Sequence, residues 1–380
     1  MSSNSFFSKV KRKVNELFIQ RYVDEKYWQL VDATGQPGVV TLYKEERLDD
    51  LKEANPKLDL DAERMKGSES FLFDLHKYTK YLYQVSDCIV EPKYNWVIMP
   101  GNKLFKYSWP YIQDPWVGSK PKPSVAGFLL KLKPIELEEA ILVKYLWNNY
   151  YHFLFDVLTQ LKVYDDLGIP LTVPVIVPEG SMNFSYVQAY EKLFSFGRKI
   201  IVQDIKTYYK VAKLYVGKDS FLSDGLLQIK KRFISFPALA KVATATPEKL
   251  FLTRGINNRR AMINIGKIEA IARAEGFTVV ETGGLSLAEQ IKLMSNASHV
   301  IAIHGAALGN LMYCKPTGVT LLEIFPGDNF KPQLYRFVCE KFGYGYLSIL
   351  GAGAAKADGR FVLDPAVFFP ALEQLLNKSL

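Results

Sequence analysis

The chain has 380 residues, enough for two cores, and its 48% hydrophobic and 23% charged residues are an ordinary globular balance. Its 48 basic and 39 acidic residues give a net charge of +9, which favours an anionic partner: a nucleotide, phosphates or an anionic membrane. No apolar run reaches the length of about 18 residues that spans a membrane. No zinc-finger or RNA-binding aromatic motif points to nucleic acid, and Cys88, Cys314 and Cys339 lack metal spacing and fit free thiols in a reducing cytoplasm.

In chain order, Phe6, Phe7, Val10, Val14, Leu17 and Phe18 recur at helical spacing, with Lys9, Lys11, Arg12 and Lys13 between them. The pattern predicts a basic amphipathic helix, suited to an anionic membrane surface or to packing on its own domain. Its start has no continuous apolar region, so no signal peptide is expected. Val31–Lys80 is polar and mixed, and its Asp59/Asp61 pair reads as a solvated helix start rather than a metal site. Cys88–Phe105 reads as two short strands around Pro100-Gly101, and Leu129–Val143 adds apolar alternation.

The segment Asn148–Asp156 is expected to continue as a helix to Leu167, stopped by Gly168 and Pro170. His152, Asp156 and Gln160 fall on it at i, i+4 and i+8, a polar stripe inside apolar surface. Such a stripe is either a packing hydrogen bond or an acid/base pair facing a cleft. Strands at Val173–Val177, Ile200–Gln203 and Leu214–Val216, with a helix at Tyr186–Phe196, read as βαβ and imply a parallel sheet. The helix Leu226–Phe236 carries Lys230, Lys231 and Arg232, and residues 236–249 read as a linker.

A second α/β series comes next, with strands at Leu250–Thr253, Thr278–Val280, Val300–Ile303, Val319–Ile324 and Gly345–Leu350. Helices are expected at Ile265–Ala274, Leu287–Ser295, Leu308–Tyr313 and Lys331–Phe342, and a last one at Pro365–Leu376. Ser286 and Glu289 form a capping box for the second of these. The fold class is therefore α/β, with two Rossmann-like lobes and a C-terminal helix. The expected domains are 1–235, a linker at 236–249, 250–355, and a helical tail at 356–380.

In this second half, strand, small-residue turn and helix meet at His304-Gly305-Ala306-Ala307-Leu308. A helix N-terminus at the carboxyl edge of an open sheet suits an anion. Arg254, with Arg259 and Arg260 shortly after, supplies cations suited to a diphosphate. Glu323, ending the fourth strand, is placed to accept ribose hydroxyls or to pair with an arginine. No G-x-G-x-x-G, P-loop, H-E-x-x-H or C-x-x-C is present, which argues against dehydrogenases, P-loop kinases and zinc hydrolases.

Three segments together resemble glycosyltransferase family 61: NYYHFLFD, with Asn149, Tyr151, His152 and Asp156; TRGINNRRAMIN, with the three arginines; and SLAEQIKLMSNASHVIAIHGAALGN, with His304 to Asn310, followed by LLEIFP. The resemblance implies a GT-B-like architecture with the donor in the C-terminal lobe and the acceptor, near Asn149 and Tyr151, in the N-terminal lobe. It implies inverting transfer from a nucleotide-sugar, with UDP as the first choice, to a surface polysaccharide or glycolipid on the cytoplasmic side. It implies neither metal nor other cofactor, and no nucleic-acid partner. Asp156 or His152 is then the base, and Arg254, Arg259, Arg260, His304, Gly305, Ala306, Ala307, Leu308, Asn310 and Glu323 are the donor-side residues. A nucleotide-sugar epimerase and a non-catalytic scaffold in polysaccharide assembly are the competing readings.

Overall fold

The computed structural model describes residues 18–48, 77–108, 122–131, 133–143, 147–218, 224–235, 246–255, 261–326, 334–351 and 360–377. The basic N-terminal run up to Leu17, Asp59 and Asp61, Arg259 and Arg260, and residues 236–245 of the expected linker lie outside the described residues. The chain divides into two compact α/β units that are interleaved in sequence. The first takes described residues up to 45 and those of 80–148 and 160–218, and the second is built on 149–159 and 224–377.

The strands of the first unit are β1 Gln29–Val31, β2 Val39–Leu48, β3 Lys77–Val90, β4 Val97–Met99, β5 Lys103–Phe105, β6 Ile135–Leu142, β7 Val175–Pro178, β8 Ile200–Gln203 and β9 Tyr209–Lys218. They form one sheet in the order β1-β5-β4-β3-β9-β6-β7-β8, with β2 on β3. The expected parallel rhythm holds for β6 with β7, β7 with β8, and β6 with β9. It fails at β3, which runs antiparallel to β9 and to β4, so the sheet is mixed. The β4–β5 hairpin turns where Pro100-Gly101 reads as a break, with Gly101 at φ 77 and Asn102 at φ 60. Tyr81, Tyr83, Val85, Cys88 and Val90 of β3 pack into this unit's core.

The second unit is an all-parallel sheet of β10 Lys249–Leu252, β11 Thr278–Val280, β12 His299–Ile303, β13 Thr320–Phe325 and β14 Gly345–Leu350. Its order β11-β10-β12-β13-β14 is the doubly wound order 2-1-3-4-5. Side chains alternate across the strands. Leu322 and Ile324 of β13, with Leu347 and Ile349 of β14, meet Ile268, Ala272, Phe368 and Leu372 from the helices Ile265–Ala274 and Pro365–Asn377. Leu321 and Glu323 therefore face the opposite side. The expected capping box forms: the Ser286 hydroxyl accepts from Glu289 N, and the Glu289 carboxylate accepts from Ser286 N.

A 3-10 helix, Ala306–Tyr313, succeeds β12, two residues earlier than the expected helix start. Its C-terminal end is held by Lys230 on the helix Asp224–Ile234, whose Nζ donates to Leu311 O, Met312 O and Cys314 O at 3.2, 3.4 and 2.7 Å. The ammonium also lies over the Phe342 and Tyr344 rings. Lys230 thus belongs to the interior, not to a basic helix face. Burial pulls its pKa down to about 8. An unfolded lysine keeps its proton to about pH 10.4, so between these values the unfolded state binds more protons. Lys230's contribution to stability consequently rises with pH across that window and is lowest below it. The difference in unfolding free energy between wild type and Lys230→Met is expected to move in wild type's favour by about 3 kcal/mol from pH 7.5 to pH 10.5. Denaturant titration at the two pH values reads this, and a pH-independent difference would mean that the ammonium is not desolvated.

Candidate active site

The helix that carries His152 and Asp156 runs in three sections: Tyr150–His152 is α, Phe153–Val157 is π, and Leu158–Asp166 is α again. Asn149 starts it as the N-cap, its Oδ1 accepting from Tyr151 N at 3.0 Å and His152 N at 3.4 Å. The first residue of the NYYHFLFD segment is thus explained by helix initiation. The π turn, closed by Leu158 N to Phe153 O, inserts one residue and rotates the remainder of the helix by about 100°. Gln160 thereby leaves the expected stripe, and its Nε2 donates to Gly217 O inside the first unit. His152 and Asp156 stay together: Nδ1 lies 2.6 Å from Oδ2. The Asp156 side chain is 6% exposed and that of His152 25%, so the histidine is the open member of the pair. Both lie in the second unit, with β10 and β12, although their place in the sequence assigns them to the N-terminal domain.

In the second unit's sheet, the order reverses between β10 and β12, which is where doubly wound folds bind ligands. Arg254 lies two residues past the end of β10, and Gly305 two past the end of β12. The two meet: a Cβ built on Gly305 would lie 1.8 Å from Arg254 Nη2 and 2.6 Å from its Cζ. Only a residue without a side chain lets the guanidinium lie against the backbone at the head of the 3-10 helix. Ala306 and Ala307, the first two residues of that helix, are part-exposed, so the approach to its N-terminus is lined by small side chains.

Beside Gly305, His304 Nδ1 lies 2.5 Å from Glu323 Oε1. Glu323 Oε2 accepts from Tyr346 OH at 2.7 Å, and the Glu323 side chain is fully buried. Burial and the Glu323 charge hold the Tyr346 phenol well above its usual pKa, so it stays a donor. With one carboxylate oxygen taken by Tyr346, the other fixes the His304 ring, whose Nδ1 donates and whose Nε2 is turned away from the pair. Glu323 is therefore not a surface ribose acceptor and has no arginine partner in these bonds: it stands behind His304. Leu308 and Asn310 are likewise fully buried. Leu308 N donates to Gly305 O, closing the first 3-10 turn, and Asn310 Oδ1 accepts from Tyr150 OH at 2.7 Å.

Three tyrosines that the sequence did not single out complete the arrangement. Tyr150 OH also meets Tyr313 OH at 2.7 Å, joining the helix of His152 to the 3-10 helix. Gly309 makes room for this, because a Cβ there would lie 3.2 Å from Leu154 Cδ1. Tyr335, on the helix Leu334–Phe342, donates its OH to Gly305 O at 2.8 Å and stands edge-on to both His304 and Tyr151. Tyr151 in turn is edge-on to His152. Aromatic rings thus connect the two carboxylate–histidine pairs within one unit. The third is Tyr346; it could have been found by register, since it lies two residues before Ser348, the partner of Glu323 on β14. Nothing in the sequence marks Tyr335. Among the described residues, no group of three His, Cys, Asp or Glu side chains is arranged to hold a metal ion.

A doubly wound unit with Arg254 and a small-residue helix N-terminus at its switch point, and a histidine–carboxylate pair on a helix of the same unit, fits a group-transfer enzyme. Within it, residues 150–321 match the family model described as Glycosyltransferase 61. The match begins at the first residue of the His152 helix and includes Arg254 and His304 to Asn310. This resemblance supports glycosyltransferase activity. Comparison with curated proteins gives no match.

Proposed function

We propose that the chain transfers a sugar, with inversion, from a nucleotide-sugar to a hydroxyl of a glycan or glycolipid, and that a UDP-sugar is the donor. The observation that supports this most is the packing of the Arg254 guanidinium on Gly305 at the head of the 3-10 helix. The diphosphate sits there, on the guanidinium and the N-terminal N–H groups, with His304 Nε2 beside it. Inversion is one displacement. The acceptor oxygen bonds to the anomeric carbon as the bond from that carbon to the diphosphate oxygen breaks. The His152–Asp156 pair takes the hydroxyl proton, with one member as base and the other orienting it. The charge on the departing diphosphate is met by Arg254, by the helix N-terminus and by His304, a set that does the work a divalent cation does elsewhere.

Two expectations test this reading. A thermal-shift screen of nucleoside diphosphates and nucleotide-sugars is expected to show the largest rise with UDP or a UDP-sugar, because a ligand that binds only the folded state raises apparent stability. That rise is expected to persist in excess chelator. A rise seen only with added divalent metal would return Asp59 and Asp61 to consideration, and no rise with any nucleotide would overturn the reading.

A further inference from the structure

We infer that two elements of the first unit, the helical residues 18–27 and the helix Val125–Lys131, together form a docking surface for an anionic lipid bilayer. Phe18, Ile19, Tyr22 and Val23 are 68%, 64%, 62% and 43% exposed and lie along one side of their helix at i, i+1, i+4 and i+5. Leu129 and Leu130 are 58% and 86% exposed, although their neighbour Phe128 is buried in the unit. Six large apolar side chains on two short helices are thus turned to solvent.

The two helices are fastened to each other rather than loose. Asp24 Oδ1 accepts from Val125 N at 2.7 Å, at the start of the second helix. Trp28 Nε1 donates to Pro123 O at 2.6 Å, and the Trp28 ring meets Phe128 edge-on. Lys122 Nζ donates to Glu25 O. The exposed apolar residues are therefore carried on a braced platform.

Charge decides the occupant. Lys26, Lys131 and Lys133 are exposed on or beside the two helices, and in the sequence Lys9, Lys11, Arg12 and Lys13 come shortly before the first of them. Of the nearby acids, Glu25 is paired with Arg21 and Asp24 is spent on Val125 N. Exposed Leu, Phe, Ile and Tyr flanked by Lys and Arg fit the boundary between acyl chains and anionic headgroups. A second copy of this surface would bring like charges together.

The test uses the full chain and sedimentation with phosphatidylcholine vesicles made with and without phosphatidylglycerol. Binding is expected only with phosphatidylglycerol and is expected to weaken as salt rises. Leu129→Ser/Leu130→Ser is expected to lower that binding about tenfold or more. Its melting temperature should match wild type, because both side chains are exposed. Phe18→Ser/Tyr22→Ser should act in the same direction. No binding to the anionic vesicles, or unchanged binding by both folded double variants, would overturn the inference. So would concentration-dependent self-association that the same substitutions abolish. The outcome is independent of the sugar-transfer reading, since none of these residues belongs to the second unit.

Discussion

Asp156→Asn is expected to reduce turnover by about a hundredfold to ten-thousandfold, the range of a lost general base. Asparagine keeps an oxygen that accepts from His152 Nδ1, so the 2.6 Å contact and the π turn around it survive and the melting temperature stays close to wild type. UDP affinity should change little, because the proposed phosphate site is Arg254 and the 3-10 helix rather than the His152 helix. His152→Ala should give a comparable loss of turnover. If the pair instead serves packing alone, the order of effects reverses. His152→Ala then loses stability, by about 1–3 kcal/mol, because it removes a hydrogen bond to the buried Asp156 side chain, and both variants keep their activity per folded molecule. Melting temperature, UDP affinity and turnover on the two variants separate these cases.

Glu323→Gln is expected to be the more damaging of the isosteric carboxylate replacements. Glu323 accepts from two donors, Tyr346 OH and His304 Nδ1, and a glutamine has one oxygen to offer. If Tyr346 keeps that oxygen, the amide NH2 faces His304 Nδ1. The imidazole must then carry its proton on Nε2, the opposite tautomer from wild type. The side chain is fully buried, so no water relieves the mismatch, and a loss of about 2–5 kcal/mol in stability is expected. Turnover at a temperature where the variant is folded should fall as well, because the neutral amide cannot balance positive charge on the His304 ring as the diphosphate departs. Nitrogen chemical shifts of the His304 ring report the tautomer directly. An unchanged tautomer with unchanged turnover would confine Glu323 to packing.

The second unit was legible because each signal was local. Its strands are β-branched runs, its helices have the right period, and Ser286 and Glu289 mark a start, so β11, β14 and the helix Ile265–Ala274 fall on their expected residues. The first unit was less so. The strand β3 is built on Tyr81 and Tyr83, whose polar hydroxyls and flanking lysines obscure a core-facing alternation, and its antiparallel pairing with β9 spans far more chain than any local pattern. At the site, residue types were readable and orientations were not. The i, i+4 rule brought His152 to Asp156, but a π turn cannot be foreseen from composition, and it removed Gln160. Arg254 and Gly305 were each recognisable. Their contact depends on the sheet order at β10 and β12, which no single segment encodes. Glu323 was placed on its strand, though it lies two residues inside the end at Phe325; on which face it lay, and therefore that it serves His304, required the register with β14.

The proposed site for a nucleoside diphosphate is where Arg254 lies against Gly305. Calorimetric titration of UDP in the presence of excess chelator tests it most directly, on wild type, Arg254→Ala and Gly305→Ala. Wild type is expected to bind, and Arg254→Ala to lose about a hundredfold in affinity, as for the loss of a charge-assisted contact to phosphate. Gly305→Ala should weaken binding too, because its Cβ would displace the guanidinium from a position 1.8 Å away. Equal affinity in all three proteins, or no binding of UDP by the folded wild type, would contradict it.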